Sequence, residues 1–158
     1  MRCVTGPGEK TVASNRRAFH EYEITERFEA GMQLVGTEVK AIREGHVSLA
    51  QAYATVRDDE IWLVGATIEP YRSGNRENHA PARERRLLLH RAEIDKIRRR
   101  TEERGMTLVA LRIYFRGGRA KVELGLGRGR SAIDKRHVMA ERDAQREIER
   151  IVKRGAAE

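Results

Sequence analysis

The sequence predicts a mainly β fold, an antiparallel barrel with about three flanking helices. Its clearest element is a β-hairpin, in which apolar and polar residues alternate over residues 109–115 and 122–126 on either side of Gly117 and Gly118. About six short apolar segments occur along the chain, without a regular alternation of strands and helices. This combination is typical of a small antiparallel barrel related to the five-stranded oligonucleotide-binding (OB) fold.

The N-terminal third contains a tail, a strand and a helix in that order. Residues 1–14 contain no apolar stretch and are predicted to be a flexible N-terminus, so the barrel begins at residue 15. Residues 22–28 alternate as a half-buried strand does. Residues 37–43 follow a glycine and predict a short helix that Gly45 ends.

The middle of the chain predicts two strands that share a turn. Residues 51–57 and 60–69 are strand-like, and Asp58 and Asp59 lie between them. Trp62 is predicted to be a core residue rather than a platform for base stacking, because large aromatic side chains are usually buried.

A polar segment and a charged helix come next. Residues 71–86 are rich in Asn, Arg and His and predict a loop, residues 87–89 predict a short buried run, and residues 91–104 predict a helix ended by Gly105. The barrel is expected to extend to residue 130. Its last residues include Gly125, Gly127 and Gly129, which predict a flexible exit from the final strand.

Residues 131–158 are predicted to form a basic tail. Arginines recur at every fourth position and advance only about 40° per step around a helix, so they form one basic stripe. The opposite side offers small aliphatic groups only, and helix nucleation is costly, so the tail is predicted to be disordered in the free protein. A solvated surface helix explains the stripe equally well. The stripe consists of Arg142, Arg146, Arg150 and Arg154.

The composition favours a nucleic-acid partner. The 158 residues include 32 Lys and Arg against 24 Asp and Glu, a formal net charge of +8. This positive field is typical of nucleic-acid binders. Because aromatic residues make up only 5% of the chain, phosphate contacts are expected to dominate the affinity.

The same composition argues against other classes of protein. A single cysteine, Cys3, excludes an internal disulfide and favours the cytoplasm, and no segment approaches the roughly 18 apolar residues that cross a membrane. The five histidines are scattered without metal-ligand spacing, so neither a metal nor another cofactor is expected. Ser131, Asp134 and His137 lie in the predicted tail, which could not hold a catalytic triad, so the protein is not expected to be an enzyme.

Two polar features suit contact with RNA. Residues 71–90 combine arginines with amide and imidazole donors, which can bind phosphates, sugar hydroxyls and exposed base edges, although a solvated loop has the same composition. Glu29 follows the first strand, and in a basic site its carboxylate could accept a hydrogen bond from a base amine or orient an arginine.

The ordered motifs of the chain closely resemble one family, the bacterial transfer-messenger RNA (tmRNA)-binding protein, also called SsrA-binding protein or small protein B. The resemblance extends over about residues 15–154. The motifs are Asn15-Arg16 with Ala18 and Tyr22, Phe28-Glu29-Ala30-Gly31, Leu34 with Gly36-Thr37-Glu38-Val39-Lys40 and Arg43, Gly74-Asn75-Arg76 with Asn78-His79, Leu87-Leu88-Leu89-His90 with Glu93-Ile94, Tyr114-Phe115, Lys121-Val122, Asp134-Lys135-Arg136, and Glu141-Arg142-Asp143.

The resemblance implies an RNA-binding adaptor for trans-translation. Such a protein binds the tRNA-like domain of tmRNA with an OB-like barrel, which substitutes for the missing anticodon arm, and accompanies it to stalled ribosomes. Elongation factor Tu would be a partner through the shared RNA. The tail would enter the empty messenger channel near the decoding site and become helical against small-subunit rRNA.

The resemblance also implies roles for individual residues. RNA contact is expected at Glu29, Leu88 and His90, and further at His20 and Asn75. The basic and polar residues that complete the expected RNA-binding set are Arg16, Arg17, Lys40, Arg43, Arg76, Asn78, His79, Arg86 and Lys121. The expected ribosome-binding residues of the tail are Asp134, Lys135, Arg136, Arg142, Arg146, Arg150 and Lys153.

The chain departs from the family pattern at two positions. Ile133 stands where some relatives have a histidine, and His137 follows the Asp-Lys-Arg motif instead. Ala41 replaces a common serine inside the short helix, with little expected consequence. Two other functions are compatible with a basic barrel: a general single-strand RNA-binding protein and an RNA-processing enzyme, for which the sequence shows no paired carboxylates.

Overall fold

The predicted hairpin is the centre of the fold. The computed structural model describes residues 9–71, 78–103, 105–130 and 132–157. Strands β8 (Met106–Arg116) and β9 (Arg119–Gly129) pair antiparallel along their whole length. Gly117 and Gly118 have positive φ angles of 58° and 78°, which a tight two-residue turn between strands requires. The hairpin is thereby confirmed.

The other elements close this hairpin into a barrel. They are β1 (Glu9–Ser14), α1 (Arg16–Glu21), β2 (Tyr22–Met32), α2 (Gly36–Arg43), β3 (Val47–Ser48), β4 (Tyr53–Arg57), β5 (Glu60–Val64), β6 (Thr67–Ile68), β7 (Arg85–Leu88), α3 (Arg91–Thr101) and α4 (Ala132–Ala157). The main sheet has the order β1-β8-β4-β5-β7-β2-β9, and β9 returns to pair with β8. The described strands pair antiparallel, which confirms the predicted fold class.

Strand alternation decides which residues form the core. In β5, Ile61 and Leu63 are completely buried, whereas Trp62 faces outward and is only half-buried. The guanidinium carbon of Arg57 lies 5.8 Å from the centre of the Trp62 ring. The prediction that Trp62 is a core residue is therefore wrong, because its two smaller neighbours occupy the inner face.

The N-terminus is more ordered than the sequence predicts. Residues 9–14 form β1, which pairs antiparallel with the end of β8. The prediction that residues 1–14 are flexible is therefore wrong for these six residues. Val12 and Ala13 pack against the core cluster. The pairing was missed because a partner about a hundred positions away in sequence leaves no local signal. Residues 1–8 lie outside the described part of the chain.

The glycines near the end of the barrel belong to β9 and do not form a flexible exit. A Cβ atom on Gly125 would lie 2.9 Å from a methyl carbon of Leu111, and one on Gly127 would collide with the carbonyl oxygen of Glu23 in β2. The register between β2 and β9 shifts between Ile24 and Glu26. Absence of a Cβ therefore allows β2 and β9 to approach closely at this irregularity.

A buried ion pair connects α2 to the polar loop. Glu38 and Arg85 are both fully buried, and Arg85 Nε donates to Glu38 Oε2 at 2.5 Å. Arg83 and the backbone N–H of Val35 donate to the other oxygen. Arg85 also donates to the carbonyl oxygens of Ala66, Arg83 and Pro81. This cluster joins three separate segments of the chain.

The tail is one long helix. Helix α4 covers Ala132–Ala157, whereas the sequence predicts a segment without structure in the free protein. The segment is rich in Ala, Glu and Arg, which have high helix propensity and favour this helix. Ion pairs such as that between Arg150 and Glu147, at 3.7 Å, stabilise it slightly further. None of the α4 side chains that the structure describes is buried. No described helix is both long and apolar enough to cross a membrane.

Replacing Gly127 by alanine should destabilise the barrel. The added methyl group would meet the β2 backbone, so we expect a loss of about 1–3 kcal/mol in the free energy of unfolding, measured by urea denaturation. Gly129→Ala is the matched control, because nothing lies within 4 Å of its added Cβ, and it should change stability by less than about 0.5 kcal/mol. Equal effects of the two substitutions would show that β2 and β9 are not closely packed here.

Glu38→Gln should destabilise the protein in a pH-dependent way. Burial raises the pKa of Glu38, but hydrogen bonds from Arg83, Val35 and Arg85 outweigh it and hold the pKa below the ordinary value of 4.5. The ionised carboxylate therefore stabilises the fold fully above about pH 4.5, and this stabilisation is lost as the pH falls through the lowered pKa.

Denaturation of the wild-type and Glu38→Gln proteins at neutral pH and at pH values below 4.5 tests the expectation. Glu38→Gln leaves Arg85 buried without its partner, so a loss of about 3–5 kcal/mol is expected at pH 7, and the difference from wild type should shrink in acid. Glu102→Gln, on the exposed end of α3, serves as the control and should show neither effect. A difference that stays constant with pH would contradict the ionised pair.

Candidate RNA-binding surface

Four of the predicted RNA contacts lie on the outer face of the barrel. Gly31 of β2 pairs with Leu88 of β7 on one side and with Lys121 of β9 on the other. Glu29 lies two residues before Gly31, on the same face of β2. Arg86 lies two residues before Leu88, and because β2 and β7 are antiparallel it is on the opposite side of Leu88 from Glu29. The structure thus brings Glu29, Leu88 and Lys121 together, with Arg86 farther along the same outer face.

Leu88 is the apolar centre of this face. The predicted buried run is wrong at this residue, since Leu87 is buried but the side chain of Leu88 is 51% exposed. A Cβ atom added to Gly31 would lie 3.4 Å from the Cβ of Leu88. The leucine side chain therefore projects over a position that has no side chain of its own. His90 follows closely as the exposed N-cap residue of α3.

The carboxylate of Glu29 is held by two donors from β8. The hydroxyl of Tyr114 donates to Oε2, and Arg116 Nη1 donates to the same oxygen at 3.1 Å. Tyr114 is only 1% exposed, and burial followed by the bond to Glu29 raises its pKa, so the phenol stays protonated at neutral pH. The sequence places Tyr114 in a motif of the family resemblance but does not predict this role, which only a polar group among the apolar residues of β8 suggests.

Two cations of α2 rest on aromatic rings. Lys40 Nζ lies 5.4 Å from the ring centre of Tyr71, and the guanidinium carbon of Arg43 lies 5.5 Å from that of Phe115. Both cationic side chains are exposed. Rings below them limit their motion while their charges face solvent.

Asn78 and His79 have their polar atoms engaged within the protein. Asn78 exchanges two hydrogen bonds of 2.8 Å with the backbone of Tyr71. His79 Nδ1 lies 2.9 Å from the Thr37 hydroxyl, and Nε2 lies 2.8 Å from the carbonyl oxygen of Ile68, so the ring bridges two segments. Here the two residues hold the end of the loop beside α2. The predicted contacts Asn75 and Arg76 lie outside the described residues.

The basic residues of α1 lie far from Glu29. Asn15 caps α1 by accepting from the N–H of Ala18 at 3.3 Å, and Arg17 pairs with Glu21 at 2.7 Å. Arg16 is exposed and His20 is half-buried. The helix joins β2 at Tyr22, seven residues before Glu29, roughly 23 Å at the usual rise of ~3.3 Å per residue. The predicted RNA contacts therefore fall into separate groups.

The start of α4 lies beside α1. A cleft of about 450 Å³ between them is lined by Phe19, Tyr22, Arg130 and Arg142, among others. For Asp134 and Lys135 the structure establishes only their place in α4. The remaining predicted ribosome-binding residues are exposed along the helix, namely Arg136, Arg142, Arg146, Arg150 and Lys153.

The described surface shows no metal-binding arrangement. Among the described residues, no group of three or more His, Cys, Asp and Glu side chains could hold a metal ion. The chemistry available on the outer face is that of hydrogen bonding and charge. Such a face suits recognition of a polyanion with exposed polar edges.

Comparison with known families identifies the family of this chain. The family model described as SmpB protein matches residues 12–154. The chain belongs to the SmpB protein family. This SmpB-family chain is 54% identical over 149 residues to an SsrA-binding protein of Parafrankia sp. (strain EAN1pec), covering 94% of each chain. It is 50% identical over 145 residues to the SsrA-binding protein of Carboxydothermus hydrogenoformans, covering 92% of this chain and 97% of the relative.

A solved structure is also similar to the SmpB-family fold. It is described as "tmRNA-SmpB: a journey to the center of the bacterial ribosome", and the alignment has 44% sequence identity and a TM-score of 0.66. It covers 80% of this chain and 93% of the other. The resemblance found from the ordered motifs is therefore confirmed over most of the chain.

Proposed function

We propose that this protein is an RNA-binding adaptor for trans-translation. Its barrel binds the tRNA-like domain of tmRNA, and the complex is delivered to stalled ribosomes. The observation that carries the proposal is the outer face, where exposed Leu88 adjoins the hydrogen-bonded carboxylate of Glu29 and the cations of β7 and β9. The names of the relatives and of the similar structure support the choice of RNA and ribosome as partners.

The groups on this face suit different parts of a folded RNA. Lys121, Arg86 and the α2 cations neutralise phosphates, which gives affinity without sequence specificity. Glu29 accepts a hydrogen bond from a base amine, and Leu88 packs against a sugar or an unstacked base. A convex sheet surface suits shape recognition of a tRNA-like fold better than threading of a single strand.

Helix α4 is proposed to bind the ribosome. Its 26 residues span roughly 39 Å, and its cations are available to the rRNA that lines the empty messenger channel near the decoding site. This helix is proposed to enter that channel. Ile133 has no imidazole, so stacking of a histidine on an rRNA base cannot occur from this position.

The remaining partners and location follow from this role. Elongation factor Tu is a partner through the shared RNA, and the cytoplasm is the compartment in which the ribosome is met. The protein acts as an adaptor and not as an enzyme, without metal or other cofactor.

A general single-strand RNA-binding barrel is the second candidate. It is favoured by one observation: Tyr53 is 44% exposed and Trp62 faces outward, so aromatic rings are available on the strands. An unstructured RNA that competes as well as the tRNA-like domain would favour this candidate over the adaptor.

Leu88→Ala should weaken binding of the tRNA-like domain without unfolding the barrel. We expect the dissociation constant to rise about tenfold, measured by isothermal titration calorimetry, because the exposed leucine contributes contact area to the RNA and little to the core. Ile148→Ala, whose side chain is 54% exposed in α4, should leave this affinity unchanged. No binding by the wild-type protein at moderate salt would refute the proposed function.

Removal of the chain from Asp134 onward should separate the two activities. RNA binding should be nearly unchanged, since no α4 side chain that the structure describes is buried, whereas rescue of stalled ribosomes in a reconstituted translation system should be abolished. The full-length variant Glu147→Gln with Glu149→Gln should keep both activities. Equal loss of RNA binding and rescue on truncation would show that the functions are not divided in this way.

A further inference from the structure

Two carboxylates face each other across β2 and β9. Glu29 and Glu123 are directly opposite in the strand register. Like charges at such positions repel each other. Glu123 is neutralised by Arg112 Nε at 2.6 Å and Arg27 Nη1 at 3.4 Å. Glu29 takes its hydrogen-bond partners from elsewhere.

The partners of Glu29 come from β8, one strand beyond Glu123. The Tyr114 side chain reaches across β9 and donates its hydroxyl to Glu29 Oε2. Arg116, with a side chain that is 58% exposed, donates to the same oxygen. Both donors therefore fix one oxygen of the carboxylate and leave the other to be satisfied from outside.

The second oxygen of Glu29 is open to an external donor in the part of the chain that the structure describes. Among the described residues, no group donates a hydrogen bond to Oε1, and 37% of the side-chain surface is exposed. A carboxylate with one oxygen fixed presents the other in a defined direction. It is then a ready acceptor for an external N–H group.

Tyr114 is itself held firmly on its other side. The guanidinium carbon of Arg112 lies 4.1 Å from the centre of the Tyr114 ring. Arg112 is 5% exposed and is bound by Glu123 and by Glu9 of β1, the latter at 3.2 Å. Strand β1 thereby takes part in fixing the phenol, although it lies far from Glu29 in the sheet.

We infer that Tyr114 is a positioning residue for RNA recognition: together with Arg116, it holds Glu29 so that its open oxygen accepts a hydrogen bond from the exocyclic amine of an exposed nucleobase. This inference rests on the proposed function. It adds the residues that direct Glu29 towards the base amine. Tyr114 does not touch the RNA, since it is buried.

The preference for an amine follows from the chemistry of the open oxygen. An ionised carboxylate only accepts hydrogen bonds, and cytosine, adenine and guanine each carry an exocyclic amine on the Watson–Crick edge. Uracil has no exocyclic amine, and its single donor on that edge, N3–H, lies between two carbonyl oxygens that disfavour a carboxylate, so uracil is expected to bind more weakly. The site therefore discriminates by base identity, while the neighbouring cations bind phosphates of any sequence.

A double-mutant cycle in the full-length protein tests the inference. The dissociation constant of the tRNA-like domain is measured by isothermal titration calorimetry for Tyr114→Phe, Glu29→Gln and the double variant. Tyr114→Phe should raise it about fivefold and Glu29→Gln about tenfold or more. In the Glu29→Gln background, Tyr114→Phe should add less than about twofold, because the group that it positions is gone.

Controls separate positioning from a general loss of structure. Tyr53→Phe removes the hydroxyl of an exposed tyrosine on β4 and should leave the affinity unchanged. The slope of log affinity against log salt should be the same for Tyr114→Phe and wild type, since no phosphate contact is lost. Should Tyr114→Phe not fold, Arg116→Ala replaces it in the cycle with the same expected coupling to Glu29.

The outcomes distinguish this inference from the proposed function. If the wild-type protein binds the RNA and Tyr114→Phe leaves the affinity unchanged, the positioning role is overturned and the proposed function stays intact. The same conclusion follows if Tyr114→Phe has equal effects in the wild-type and Glu29→Gln backgrounds. A silent Glu29→Gln overturns the positioning role as well. Absence of binding by the wild-type protein defeats the proposed function itself.

Discussion

The buried pair of Glu38 and Arg85 is the constraint on which the rest of the proposed RNA-binding surface depends. An isolated charge inside a protein is costly, so each of these groups requires the other to stay in place. Because the pair also binds the backbone around Ala66 and Pro81, it fixes α2 relative to β7 and to the loop that precedes it. The α2 cations and Leu88 of β7 therefore keep a constant spacing.

Barrel closure supplies the second constraint, since pairing of β8 with β9 decides which residues point outward. One face of each strand fills the core, and the other carries the polar groups that surround Leu88. Helix α4 leaves the barrel at the α1 end, distant from Glu29 along β2. The proposed surface for tmRNA and the helix proposed to bind the ribosome thus lie apart in a single short chain.

Local chemistry made part of this arrangement predictable. The hairpin and the end of α2 were correctly predicted because glycines with positive φ determine turns within a few residues. The order of the motifs identified the family. The strand β1, the close approach at Gly127 and the bond between Tyr114 and Glu29 join residues about a hundred positions apart, and no local pattern reports such pairs. The three consecutive leucines at residues 87–89 do not alternate with polar residues, so the sequence does not indicate that Leu88 faces outward.

The most direct test of the proposed surface is cleavage of the tRNA-like domain by a hydroxyl-radical source attached to the protein. The source is placed on Leu88→Cys in a chain that carries Cys3→Ser, and on Tyr53→Cys in the same background for comparison. The proposed surface predicts strong cleavage at a few adjacent nucleotides from position 88 and little from position 53. Equal cleavage from both positions, or stronger cleavage from position 53, would contradict it.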